Sequence, residues 1–376
     1  MVFELSPIRI GSKLKASNSK LDNNKRSDSK SGFSRLKSLS AASLIGVAGL
    51  LGGGSVRAAS TPLDLTVIRG GVNWEDIDNN SNFPSSSDVT TTNGAFYSTE
   101  TEAFGINDAS ITASDTGDAF DNALQLAVDG NLFINPDATV DLTGDTVTSD
   151  VVSGIVPGID AQIQYQFFPG RPVVRGLFSL TNTTGASIAV DPVILSDYGS
   201  DQTTTVQATS DGDTVIENSD FWYITDDDDE SDTGDAFDSD PRITTTRYGA
   251  GAAVVPLNAL TPDDSAPAIA VSGLRYPVTI PAGETRRIMV FMEVNDPTAS
   301  VASAVASAAD FASTAAAQSA GLLVGLSPTQ INEIINYVGT IPSAQAVPVL
   351  TPIGLLGLIG LLGGAGFFEL RRRKQS

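Results

Sequence analysis

The sequence contains no cysteine and no histidine. Without cysteine there is neither a disulfide nor a thiolate metal site, so the chain must rest on its core. Without histidine the commonest general base and transition-metal ligand is missing. Ser-His-Asp and Cys-His triads are excluded, as is any zinc site built on imidazole or thiolate. What remains for chemistry is carboxylates, hydroxyls and arginine. Lysine is also absent from residues 59–345, where eight arginines stand against 40 acidic residues, 32 of them aspartate, for a net charge of −32. The whole chain carries only −22, because 14 of its 22 basic residues lie in the two ends. Such a field repels nucleic acid and anionic lipid and favours cations and high salt, so no nucleic-acid partner is expected.

The two ends carry addresses. Residues 1–37 hold nine basic and three acidic residues with no apolar periodicity, and LSAASLIGVAGLL (39–51) has the length of a signal h-region. GGGSVRAAS follows, with small Val56 and Ala58 placed for cleavage after Ala58. Residues 1–58 therefore read as a secretory signal with a long basic n-region, a substrate for signal peptidase. At the other end, VPVLTPIGLLGLIGLLGGAGFFELRRRKQS joins a proline-containing motif, an uncharged run at 353–368 and the basic cluster Arg371, Arg372, Arg373 and Lys374. Sixteen helical residues rise roughly 24 Å, a little less than a ~30 Å hydrocarbon core, and the basic cluster favours the cytoplasmic side.

Val347, Pro348, Leu350, Thr351 and Gly354 make this tail resemble the I-P-T-L type of C-terminal sorting signal, a relative of the PEP-CTERM signals of Gram-negative bacteria. Val349 stands where threonine is usual, and there is no V-P-E-P. The resemblance implies a precursor held at the inner membrane by its C-terminal helix until an exosortase-like enzyme acts. The final address is then the cell surface or the extracellular space.

Between the ends the pattern is β. AQIQYQFF (161–168) alternates like a half-buried strand, and PVVRGLFSLTN follows after PGR, so the two read as a hairpin with Val174, Leu177 or Phe178, and Leu180 inward. ASIAVDPVIL, TTTVQATS, DTVI, FWYIT, RITTTRYG, AAVVPL, PAIAVSGL, YPVTI and RRIMVFMEV continue as short runs separated by Asp, Gly and Pro, with earlier strands at LDLTVI, ALQLAV and NLFI. The expected fold is mainly β: an antiparallel β-sandwich with Greek-key links over 59–297, either one extended sandwich or two small ones. A helical segment over 298–339 comes next: one Ala-rich amphipathic helix, then a short helix opened by a Ser327, Pro328, Gln330 capping box, lined by Ile331, Ile334, Ile335 and Val338 and ended at Gly339. A linker with the sorting motif (340–352) and the membrane helix with its basic tail (353–376) complete the chain. RGLFSLTNTTG, YGSDQTTTVQATSDGDTVIENSDFWYITDD, IPAGETRRIMVFMEV and GLLVGLSPTQINEIINYV resemble a class of secreted bacterial β-sandwich domains that often carry C-terminal anchors. The likeness runs from about Gly117 to Val338 and implies a non-enzymatic surface module.

The octapeptide SDTGDAFD occurs twice, at 114–121 and 231–238. Asp115, Asp118 and Asp121, and likewise Asp232, Asp235 and Asp238, are candidate Ca²⁺ ligands, since hard oxygens in a loop suit that ion. The spacing does not match an EF-hand, and a solvated acidic turn, with Phe120 and Phe237 tucked into the core, is the plainer reading. Ser200, Asp201, Asp211 and Asp213 fit an Asx-rich turn better than a cation site. Trp74, Phe221, Trp222 and Tyr223 are the aromatics available for a sugar-stacking platform. No catalytic residue and no required cofactor emerge. The function expected is therefore that of a non-catalytic surface or extracellular-matrix protein, with a surface glycan or matrix component as partner and Ca²⁺ as a stabiliser. The alternative is a carbohydrate-binding or carboxylate-dependent carbohydrate-active protein, since that chemistry needs neither His nor Cys.

Overall fold

The computed structural model describes residues 59–79, 103–113, 117–200, 204–227, 240–257 and 271–338. The expected signal segment with Ala58, the sorting motif with Val347, Pro348, Leu350, Thr351 and Gly354, the apolar run at 353–368 and the second octapeptide lie outside them. Among the described residues no helix is long and apolar enough to cross a membrane.

The chain runs through β1 (Ala59–Pro62), β2 (Leu65–Arg69), β3 (Val72–Asp78), β4 (Gly105–Ile111), β5 (Phe120–Val128), β6 (Asn131–Leu132), β7 (Thr139–Thr143), β8 (Thr146–Thr148), β9 (Val152–Val156) and β10 (Ile159–Phe167). It continues through β11 (Val173–Asn182), β12 (Ile188–Val190), β13 (Pro192–Tyr198), β14 (Thr205–Thr209), β15 (Trp222–Asp226), β16 (Arg242–Thr246), β17 (Val271–Arg275), β18 (Val278–Ile280) and β19 (Thr285–Asn295). The larger sheet has the order β1-β7-β8-β10-β11-β19-β16-β15-β14, with β9 also on β10. The smaller has the order β17-β13-β5-β4-β3-β2, with β6 on β5, and β12 pairs with β18. All pairings between the described strands are antiparallel, and β10 and β11 form the expected hairpin, with Phe167 opposite Val174.

The sheets face each other across one hydrophobic core that runs from Val67 to Ile335, so the chain forms one extended sandwich. Trp74 of β3 meets Phe167 of β10 with ring centroids 5.5 Å apart, and Phe104 stacks on Tyr165 at 5.6 Å. β11 and β19 read as nearly continuous apolar runs because both of their faces are covered. Val174, Phe178 and Leu180 enter the sandwich with Ile288, Val290, Met292 and Val294. Val173, Leu177, Met289 and Phe291 point the other way, into a second core beneath helices. The inward assignment of Leu177 or Phe178 thus resolves into both, on opposite faces.

Those helices depart from expectation. Instead of one long helix the Ala-rich segment forms α1 (Val301–Ala308), a 3₁₀ turn (Ala309–Phe311) and α2 (Thr314–Ser319), followed by α3 (Pro328–Glu333). The break occurs where the Ser313 side chain accepts the Ala316 N–H and starts a new helix. It also lets Phe311 stack on Phe291 at 5.2 Å. A uniformly alanine-rich face offers too little apolar area to hold a straight helix against one large aromatic anchor. The Ser327–Gln330 capping box forms as expected, but the helix ends at Glu333, so Ile334, Ile335 and Val338 are not on it. Ile334 bridges to Arg287 of β19 instead, and Ile335 N–H donates to the Arg287 carbonyl. Two expected strands are also absent: DTVI is a bend, and AAVVPL contributes only the bridge from Leu257 to Arg275.

Candidate functional site

Of the six candidate Ca²⁺ ligands, Asp118 is the one whose side chain is described; Asp115, Asp232, Asp235, Asp238 and the side chain of Asp121 lie outside the described residues. Asp118 occupies the left-handed region with φ 71°. Its carbonyl backs so closely onto Gly199 that a Cβ there would stand 1.7 Å from the Asp118 oxygen, so the turn depends on glycine at 199. The turn is pinned by Ala119 N–H to the Ala109 carbonyl and Gly199 N–H to the Ala119 carbonyl. Phe120 is buried, as the octapeptide reading expects.

Asp118 thereby comes beside Asp108 of β4 and Glu75 of β3, cross-strand partners that the sequence reading did not nominate. Burial pushes the Asp108 carboxyl up to about 7, opposed by the Ala109 N–H and reinforced by the charges of Asp118 and Glu75. Glu75 accepts from Ser110 Oγ at 2.6 Å. A signal was available: Trp74 and Ala109 alternate inward, which places Glu75 and Asp108 together on the opposite face. Nearby, burial and a side-chain hydrogen bond to Asp64 raise the Asp76 carboxyl, with the charges of Asp64, Asp78 and Glu75 adding to the effect. Among the described residues no three acidic groups are placed to hold a metal ion.

The arginines explain this unrelieved negative charge. Arg69 pairs with Asp145, Arg171 with Glu293 and Asp310, Arg242 with Asp226, Arg275 with Asp191, Arg286 with Glu284 and Arg287 with Glu333. The other two, Arg175 and Arg247, are buried. Arg175 donates to the carbonyls of Leu322 and Val324, and burial brings its guanidinium down to about 9. Arg247 donates to the carbonyls of Glu217 and Asp220. All eight cationic side chains of 59–345 are therefore committed within the fold. Arg171, Arg175 and Arg287 staple the helical layer to the large sheet.

The aromatic candidates for a sugar platform belong to the interior. Trp74 is fully buried, Trp222 packs under the helices and Tyr223 faces the sandwich core. Phe221 packs edge-on against Tyr248 with ring centroids 5.0 Å apart. The Tyr198 and Tyr223 hydroxyls are 2.8 Å apart and reach Thr245 and Ser272, tying the sheets together. Burial raises both phenols, which keeps them neutral. Asp211 and Asp213 form the Asx-rich turn: both accept from Thr209 Oγ1, and Asp213 also accepts the Val215 N–H. A cleft of about 330 Å³ beside α2 and α3 is lined mainly by apolar groups, among them Leu323, Val324, Leu326 and Ile331.

No family model and no curated protein matches the chain. Among solved structures, it is similar to a galactose mutarotase related enzyme from Lactobacillus acidophilus at 8% identity, covering 63% of this chain and 98% of that one with a TM-score of 0.35. A galactose mutarotase-like protein from Lactobacillus casei shows 10% identity over 61% and 99% of the two chains, also at 0.35. A polysaccharide lyase shows 10% identity over 63% and 33% at 0.30. At such scores the likeness carries no inference about activity or substrate.

Proposed function

We propose that this chain is an exported, non-catalytic module of a Gram-negative cell surface or extracellular matrix. It passes signal peptidase, is retained at the inner membrane by its C-terminal sorting signal, and is released by an exosortase-like enzyme. The observation that carries the reading is the disposition of charge. Positive charge is concentrated in the two ends, while the body commits every arginine internally and leaves most of its described carboxylates at least partly exposed. A surface of one sign keeps copies apart and soluble and attracts cationic partners or counterions. Buried polar groups such as Tyr165, Tyr198, Tyr223, Arg175, Arg247 and Asn336 hold strands or loops together.

The test is deletion of residues 347–376 in the native host. The truncated protein is expected to leave the cell-associated fraction and to be freely secreted or mislocalised. Fractionation identical to that of the full chain would contradict the sorting role.

A further inference from the structure

The proposed signal cleavage falls beside the first described strand. Cleavage after Ala58 leaves Ala59 as the first residue, and Ala59 lies in β1. Among the described residues β1 is the outermost strand of the large sheet and pairs only with β7, Ala59 opposite Leu142 and Ser60 opposite Asp141. Processing therefore creates an α-ammonium group at the edge of the sheet, one residue from the position facing Asp141.

That spot is rich in uncompensated negative charge. β7 carries Asp141 as its titratable group, β8 carries none, and the flanking loops add Asp137, Asp145 and Asp150. Asn135 draws two of these together: its Nδ2 donates to the Asp137 carbonyl, and its Oδ1 accepts the Asp150 N–H. Asp145 is paired with Arg69. Asp137, Asp141 and Asp150 have no arginine partner among the described residues, and burial, the charges of Asp137 and Asp141 and a side-chain hydrogen bond with Asp137 raise the Asp150 carboxyl. No arginine is left to serve them, since all eight are engaged elsewhere, and residues 59–345 contain no lysine.

We infer that the amino terminus released by signal cleavage is the missing counter-charge at this edge: the α-ammonium of Ala59 pairs with Asp141 and fastens β1 to β7, so that processing completes the large sheet. The inference rests on the export reading above and deepens it. In the uncleaved precursor position 59 is an uncharged amide, so the edge lacks this charge. An ammonium beside a carboxylate keeps its proton longer, so its titration moves above the ordinary α-amino range of about 7.7–8.0. The stabilisation is fully present below that range and is lost as pH rises through the raised value.

The experiment compares three forms of the chain beginning at residue 59: the natural start, a form extended by Gly-Gly before Ala59, and Asp141→Asn. The pH dependence of reductive methylation of the N-terminal amine, read by mass spectrometry of the N-terminal peptide, gives its pKa in each. The natural start is expected to titrate about half a unit or more above the extended form, with Asp141→Asn removing most of the difference. Equal values in all three would overturn the inference. Mass spectrometry of the native protein separates the two readings. A start other than Ala59 overturns the cleavage assignment and the inference with it, whereas a start at Ala59 with an ordinary amine overturns the inference alone.

Discussion

Tyr165 Oη donates a 2.9 Å hydrogen bond to the carbonyl of Leu124 across the interior between the two sheets. Leu124 lies in β5 with φ 57°, a left-handed conformation that is costly for a buried leucine, and the β5–β13 register shifts beside it. The bulge takes both main-chain groups of Leu124 out of the ladder. Ser196 Oγ accepts its N–H at 3.1 Å and Tyr165 satisfies its carbonyl. Tyr165→Phe keeps the ring stacked on Phe104 but strands that carbonyl. A loss of about 1–3 kcal/mol is expected in urea unfolding with an unchanged m-value; an unchanged midpoint would refute this role.

Arg171 is the most connected of the staples holding the helical layer. Its guanidinium reaches Asp310 at 2.7 Å, Ser307 at 2.6 Å and the buried Glu293 at 3.1 Å. Arg171→Ala leaves the Glu293 carboxylate buried without its cation, which costs about 3–5 kcal/mol for such pairs. Hydrogen exchange should accelerate first in residues 301–333, ahead of β10 and β11. Uniform acceleration across both layers would show that the helices do not open separately.

Asp108 sets a pH dependence of definite sign. Its carboxyl titrates at about 7 in the folded chain, chiefly through burial, and near 3.9 when unfolded. The folded state therefore binds the extra proton between roughly pH 4 and 7, and this contribution to stability is lost as pH rises through that window. Asp108→Asn is expected to flatten this part of the profile and to raise stability at pH 7.5, on the order of 2 kcal/mol after solvent screening. Denaturation at pH 4.5 and 7.5 checks it; a difference between variant and wild type that does not change with pH would contradict it.

The anionic shell predicts that salt stabilises. Screening acts on a body of net charge −32 with only eight cations to set against 40 carboxylates, so repulsion is relieved more than attraction is weakened. The melting temperature should rise by several degrees between about 10 and 500 mM NaCl. CaCl₂ at matched ionic strength separates screening from binding. An additional rise that disappears on joint Asp→Asn substitution of Asp115, Asp118 and Asp121 would locate Ca²⁺ at the first octapeptide, and identical curves would leave screening alone.

Much of the fold was legible because strand alternation survives in the sequence. The β10–β11 hairpin, the strand β19 and the Ser327–Gln330 cap follow from residue order. β3 and β4 were missed because Glu, Asp and Asn occupy their outward positions, so VNWEDID and GINDASI resemble loops until Trp74 and Ile106 are seen to face the core. The segmentation of the Ala-rich run depended on Phe291, some twenty residues upstream, which no local pattern encodes. The carboxylate neighbourhood was only half visible. Asp118 stands out in a repeated motif, whereas Glu75 and Asp108 reach it through strand pairing and the close approach at Gly199.

The most direct test is to isolate the native protein from its own host, assign it to a cell fraction and sequence both of its ends by mass spectrometry. The account predicts a chain outside the cytoplasm that begins at Ala59 and lacks the apolar run at 353–368. A soluble cytoplasmic chain extending from Met1 to Ser376 would contradict it.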